Sequence, residues 1–508
     1  MYDFIFFTDV TDTLLTYKSI GAYKCANSLR QHGYSVLVVD HLHTFTRQEF
    51  RNILEVSVTE QTKFIGFSST FLKKINKQVK DKPTQFEYMN SVDHFFFPQG
   101  PEFENEMIDY LHTINPDCKV VMGGFMAHPN LQNKNIDYTI LGFAEDGVVN
   151  LARHLESGEP LRHARKNLWG ITVIDNKTAQ GYDFQNSKFR WEDSDVLNHR
   201  VLPIEVSRGC IFKCSFCSYP MIGKKNNDYI RLPEILAKEL QENYDRFGVK
   251  DYFVLDDTFN DNEYKIDALL KAVRSLTFQP LFWAYVRLDL LTTKQHVDKL
   301  YEIGLRGMYF GIETLNPQTG RAIKKGHNRE LQIETIQHIR SKYGDEINMN
   351  GNFIIGLPYE SIESVTDTYQ RLKSGEIPLH SYRFNGLVLK RADFQTWTSE
   401  LSRDYDKFGY TVLPEEHDDD LGMKWTNEYM DRDTAWNLAN TWTEEAQQNP
   451  DYRISDQLGI SLINYGYDRT FLRSTKYNEL DWAHIERVKK VEFMDNYKKQ
   501  LFDHLENK

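Results

Sequence analysis

Cysteine is scarce in this sequence: five among 508 residues. That excludes the disulfide framework of a small secreted protein and fits a reducing cytoplasm. Long apolar runs are missing too. None approaches the ~20 residues a membrane helix needs, so no membrane is expected among the partners. The opening residues Met1-Tyr-Asp-Phe-Ile-Phe-Phe7 lack the positive n-region of a signal peptide and read as a strand. Positive charge is not in excess: Lys plus Arg is 61 against 73 for Asp plus Glu, a formal charge of -12. That disfavours a general nucleic-acid binder. Repeats and low-complexity tracts are absent. What is left is an ordinary globular composition, 40% hydrophobic and 26% charged. At ~150 residues per domain the length predicts roughly two to four domains.

Three of the five cysteines stand together in Glu205-Val-Ser-Arg-Gly-Cys-Ile-Phe-Lys-Cys-Ser-Phe-Cys-Ser-Tyr-Pro220. Iron–sulfur clusters are normally held by four thiolates. Cys210, Cys214 and Cys217 at CxxxCxxC spacing can hold three irons of a cubane and leave the fourth open to a ligand. Gly209 permits a sharp turn before the first of them. Zinc is a second reading, although structural zinc usually takes four protein ligands. Three buried or disulfide-bonded cysteines lying close by chance is a third. Cys25 and Cys118 fall in helical and strand-like patterns, too few for a second cluster held by the chain alone.

Residues 1–165 alternate strand and helix patterns. Apolar runs at 3–7, 35–39, 63–67, 119–122 and 137–141 read as buried parallel strands, with helices at 19–32, 47–56, 102–114 and 145–155. This predicts a five-stranded doubly wound parallel sheet, whose ligand edge is the carboxyl ends of the strands. Gly123-Gly124 at that edge reads equally well as a ligand contact or a plain turn. The long 73–101 stretch suggests a lid or a packing insertion. Residues 166–200 read as a hairpin linker, with arms at 169–174 and 181–184. Residues 201–390 carry six strand-like runs (202–207, 252–255, 282–286, 307–310, 352–355 and 382–389), the first five followed by amphipathic helices. They predict a partial (β/α)6 barrel with its chemistry at the carboxyl ends. The cysteine loop, Asp256-Asp257, Arg287, Glu313 and Gly356 all fall there. Residues 391–508 read as a mainly helical region that closes the mouth and selects substrate. Within it, Asp418 to Asp420 read as a solvated loop.

These motifs resemble the radical S-adenosylmethionine (SAM) superfamily, in the branch with an N-terminal cobalamin-binding domain, over roughly residues 1–390. The cysteine loop matches with its aromatic, Phe216. So do Val254-Leu-Asp-Asp-Thr-Phe-Asn260, Phe310-Gly-Ile-Glu-Thr314 and Phe353-Ile-Ile-Gly-Leu-Pro-Tyr-Glu360, the last with Tyr359 in place of the usual glycine. The resemblance implies a [4Fe-4S] cluster on Cys210, Cys214 and Cys217, whose open iron chelates SAM and which cleaves it reductively. It implies SAM contacts from Phe216, Asp256, Asp257, Arg287, Glu313, Ile355 and Gly356. The likeness of the first domain rests on Val120-Val-Met-Gly-Gly-Phe-Met-Ala127 and Ile140-Leu-Gly-Phe-Ala-Glu-Asp146, where Phe143 and Ala144 depart from the pattern. It implies cobalamin contacts from Thr11, Ser68, Ser69, Thr70, Gly123, Gly124, Gly142 and Glu145. The DxHxxG signature that would give cobalt a histidine is absent, and His41 and His43 read as surface residues.

The reading is a cobalamin-dependent radical SAM methyltransferase acting on an unactivated carbon of a small molecule or peptide. A flavodoxin- or ferredoxin-type electron donor would serve it, and nucleic acid is not expected. Two alternatives stand beside it: a radical SAM cyclisation or rearrangement, and a non-catalytic sensor that kept its cofactors.

Overall fold

A computed structural model describes the chain except residues 11–15, 69–100, 125–126, 128, 130–132, 178–181, 220–222, 225, 292, 327, 391–397, 414–421 and 508. It divides into two compact units. The first holds residues 1–183, 188–203 and 483–508; the second holds 184–187 and 204–482.

The first unit is built on a seven-stranded sheet. Its strands are β1 (Phe4–Phe7), β2 (Val36–Val39), β3 (Phe64–Ser68), β4 (Lys119–Gly123), β5 (Tyr138–Gly142), β6 (Ala164–Lys166) and β7 (Thr172–Asn176). The order is β2-β1-β3-β4-β5-β7-β6. Every pair is parallel except β6 with β7. Continuous apolar runs such as Phe-Ile-Phe-Phe in β1 are buried on both faces, as a sheet between two helix layers requires. The five expected strands lie within one residue of their predicted bounds. The hairpin is shifted: β6 and β7 flank residues 167–171, and both join the sheet rather than bridging to the next unit.

Helix Val491–Glu506 belongs to this unit. Tyr497, Leu501 and Leu505 enter the same apolar core as Phe7, Val39 and Leu42. The Tyr497 hydroxyl accepts from the Asp40 amide at 2.8 Å. The region expected as one C-terminal piece from residue 391 is thus divided between the units.

The second sheet has six strands: β8 (Val201–Ile204), of which Ile204 falls in the second unit, and, wholly within that unit, β9 (Asp251–Val254), β10 (Leu281–Val286), β11 (Leu305–Glu313), β12 (Asn348–Ile355) and β13 (Ser381–Gly386). They lie in sequential order, and the registered pairs from β9 to β13 are parallel. Helices Pro233–Phe247, Glu263–Arg274, Lys294–Ile303, Arg329–Tyr343 and Ile362–Lys373 connect them, giving the expected open (β/α)6 barrel. Helix Arg432–Gln447 lies on β13, where Trp442 packs on Tyr369 and Phe384.

Candidate functional site

The cysteine loop leaves β8 and is pinned at its base by Asp256. One carboxylate oxygen of Asp256 accepts from the Val206 and Ser207 amides at 2.8 and 2.9 Å, and the other from the Ser207 hydroxyl at 2.6 Å. Lys265 stands 2.7 Å from Asp256 and 3.1 Å from Asp261. It also donates to the Ser207 hydroxyl and the Thr258 carbonyl. All three charged groups are buried. The structure therefore places Asp256 under the loop as its anchor, with both oxygens occupied. Asp257 is different. It is half-buried, and burial, with the charge of Asp256 second, pushes its carboxyl up to about 7.

The Cys210 thiol lies 3.5 Å from the Thr258 hydroxyl. Cys214 accepts from Arg287 at 3.4 Å. Arg287 is itself held by Asp289 and lies over the Phe212 ring, 3.9 Å from its centroid. The Cys217 amide closes a tight turn onto the Cys214 carbonyl at 3.1 Å, and Gly209 takes the left-handed φ of 97° that opens the loop. Burial raises the Cys217 thiol to about 11, and the neighbouring thiols Cys214 and Cys210 add to the rise. A thiol whose ionisation its neighbours oppose suits a multivalent cation, which relieves that repulsion and displaces its proton. Among the described residues no three His, Cys, Asp or Glu side chains are already arranged to hold a metal. Among the described residues no fourth protein ligand stands ready beside the three thiols. That donor set fits a cluster with one open iron.

Glu313 ends β11 at a bulge, where the pairing with β12 shifts between Gly311 and Glu313. Its φ is 65°, a left-handed value that costs a non-glycine residue energy and is often found where function requires it. The carboxylate is buried and pairs with Lys325 at 2.8 Å. A Cβ on Gly311 would stand 2.5 Å from that carboxylate and 2.8 Å from the lysine, so a larger residue there would push the pair aside. Lys325 also lies 5.7 Å from the centroid of Phe216, so the ion pair and the loop aromatic share one neighbourhood. At the end of β12 the Ile355 carbonyl is taken by the Leu387 amide. Gly356 has a φ of 95°, and a Cβ there would lie 2.4 Å from the Trp425 ring. Its carbonyl accepts from Tyr410 at 2.6 Å.

The sequence reading missed Lys265, Lys325 and the interior of the barrel. Tyr285 and Tyr309 are in register, with rings 5.1 Å apart. Asn352 is in register with Arg383 and accepts from Asn385 at 2.8 Å. Among the described residues Arg383 has a single 3.2 Å bond, to Asn385, and its Nε is buried without a partner. These side chains are half-buried while their strand neighbours are buried. The signal was present: polar and aromatic residues alternate along β11 to β13 at period two.

In the first unit the expected cofactor edge is the carboxyl ends of β1, β3, β4 and β5. Thr11, Ser69 and Thr70 lie outside the described residues, as do residues 73–100 and 418–420 of the expected insertion and acidic loop. Ser68 and Gly123 are in register at adjacent strand ends, and Gly124 has a φ of 101°. Among the described residues a Cβ on Gly123 would meet the Ile140 carbonyl, at 3.8 Å. At Gly142 a Cβ would stand 2.5 Å from the backbone of Asn176 and Lys177, so that glycine serves packing against β7. Glu145 is buried and accepts from Tyr182 at 3.3 Å.

His41 and His43 are not surface residues. His41 is fully buried, with a φ of 54°, and its Nε2 lies 3.0 Å from Nε2 of His199. Burial, with the Lys18 charge second, holds both imidazoles well below their usual range. His43 bonds Asp9 at 2.7 Å. The chain folds back over β2 with helix Val491–Glu506 and residue 199, neither of which local periodicity reveals.

Residues 204–372 match the Radical SAM superfamily. Among curated proteins, an uncharacterized methyltransferase of Pyrococcus horikoshii is 26% identical over 52% of this chain and 60% of its own length. The bacteriochlorophyllide d C-8(2)-methyltransferase of Chlorobaculum tepidum is 27% identical over 37% of this chain and 46% of its own. The chain thus spans less than two thirds of either relative. Among solved structures, the radical SAM methyltransferase TsrM from Kitasatospora setae, with cobalamin and a [4Fe-4S] cluster bound, aligns with a TM-score of 0.61 at 14% identity. That alignment covers 98% of this chain and 100% of TsrM. The cobalamin-dependent radical SAM enzyme OxsB aligns at 0.59 and 13% identity over 99% of this chain and 75% of its own. Residues 204–372 are a radical SAM domain, set in a chain with the two-sheet fold of the cobalamin-dependent radical SAM enzymes.

Proposed function

We propose that this protein is a cobalamin-dependent radical SAM methyltransferase acting on a small molecule or peptide. The observation that carries the reading is the convergence of three thiols, Glu313 and Phe216 at one end of the barrel. Cys210, Cys214 and Cys217 would hold the cluster, and the backbone edge at Ser68 and Gly123 would face cobalamin. With these groups and SAM bound, the site is supplied with reductive SAM cleavage and a methyl donor.

The chain's own share is binding, orientation and exclusion of water. Arg287 is held by Asp289 and steadies Cys214 through a hydrogen bond that survives loss of the thiol proton. Glu313 presents a carboxylate to the ammonium of SAM, and Lys325 turns toward an anionic group as the ion pair opens. Asp257, with a value near neutrality, keeps a proton for part of the population and can accept or donate a hydrogen bond there. Tyr285, Tyr309, Asn352 and Arg383 offer a substrate aromatic walls, amide partners and a cation without a carboxylate. An external low-potential protein would deliver electrons. Anaerobic reconstitution followed by SAM and dithionite tests the reading. Deoxyadenosine should form and should vanish in Cys214→Ala. A cobalamin spectrum should persist through gel filtration; its loss would remove methyl transfer from the proposal and leave SAM cleavage standing.

A further inference from the structure

We infer that the base of the barrel carries a binding site for a phosphate-bearing anion, at the end opposite the cysteine loop. A small cleft of about 40 Å3 opens there. It lies at the amino ends of β10 to β13 and is walled by helices Asp456–Asn464 and Arg469–Ser474.

The carboxylates of this cleft are already committed. Asp345 accepts from Arg340 and His380 and lies 3.7 Å from Arg453. Glu346 takes the Tyr301 hydroxyl. Asp251 takes Nε of Arg469 at 2.5 Å. Cationic donors remain over. Arg306 donates only to the carbonyls of Tyr301 and Leu305, at 2.8 and 3.1 Å. Arg469 stacks its guanidinium 3.9 Å from the Trp283 ring centroid, and its Nη2 is buried with no partner. Arg473 makes no hydrogen bond or ion pair among the described residues.

Arg306, Arg469 and Arg473 line the cleft together, and burial lowers the first two. Gathering like charges and leaving a buried N–H unsatisfied is costly unless an anion joins them. Ser455 adds to this: it caps helix Asp456–Asn464 without bonding the helix's own amides, so its hydroxyl and the positive end of the helix both remain available at the cleft. Three forked donors, Arg306 from β11 and Arg469 and Arg473 from one helix, outnumber what the two oxygens of a carboxylate accept, and suit the three oxygens of a phosphoryl group. The inference stands apart from the reaction proposed above, since no residue is shared.

Calorimetric titration of the full-length protein with inorganic phosphate, and separately with adenosine monophosphate, tests it. At least one should bind with a Kd at or below about 1 mM. Phosphate alone sufficing would mark a free-anion site, and a nucleotide preference a phosphoester site. Arg473→Gln should weaken binding about tenfold and Arg473→Lys less, because lysine keeps the charge but loses the fork. Arg473 makes no described bond, so thermal melting without anion should be unchanged. Absence of binding by both anions at about 10 mM, or equal binding by wild type and Arg473→Gln, would overturn the proposal.

Discussion

The two sheets offer their chemistry at the same topological address, yet they settle buried charge differently: the barrel mouth sets two acids around Lys265, whereas the first sheet's edge holds two imidazoles beside the Lys18–Asp40 pair. At the mouth of the barrel, acids are buried: Asp256 and Asp261 around Lys265, and Glu360 beside Thr314. At the edge of the first sheet, bases are buried: His41 against His199, and Lys18 near Asp40 and Tyr23, with burial pulling the lysine down to about 8. On the proposed function, carboxylates at the barrel mouth favour the sulfonium of SAM. An edge reached largely through backbone and small side chains needs no charge of its own, so its ionisable groups serve the packing.

The strongest way to break this contrast is Lys265→Met. It would leave Asp256 and Asp261 buried without a partner, costing ~3–5 kcal/mol. Urea unfolding should show the loss in the second unit, with hydrogen exchange in β1 to β5 unchanged. Next comes pH. Burial raises Glu360 from 4.5 to about 8. Folded protein then holds a proton that the unfolded chain has lost, so stability falls as pH rises through that window. The fall should be on the order of a few kcal/mol, and Glu360→Gln should flatten the dependence of Tm on pH. Gly356→Ala should cost ~2 kcal/mol, because an alanine meets Trp425 at a left-handed φ. The gentlest test sharpens the contrast from the other side. His41 and His199 are held below 6.5, so below that pH the unfolded chain gains protons that the folded one refuses. Stability therefore drops as pH falls. Helix Val491–Glu506 should lose exchange protection first in acid, by ~1 kcal/mol. Uniform loss across both units would contradict the assignment.

Much of the fold was readable because short apolar runs and amphipathic helices are local signals. The barrel strands and the cysteine loop came from spacing alone. Lys265 was within reach as well: it sits at i+4 from Asp261, on the helix face that carries Ile266, Leu269 and Val273, where a lysine must be neutralised. Lys325 was not, since its pairing with Glu313 depends on how a loop returns over β11. The burial of His41 was misread because the groups that cover it lie ~160 and ~450 residues away in sequence, beyond any periodicity.

Helix Val491–Glu506 has a consequence for biosynthesis. Its core positions complete a sheet whose strands are made first, yet the helix emerges only after residues 204–482 have been translated. The nascent first unit must therefore wait with Leu37, Val39 and Leu42 short of their cover, while the barrel condenses in the interval. Closure of the first unit thus follows translation of the barrel, a natural checkpoint at which a chaperone would hold the chain.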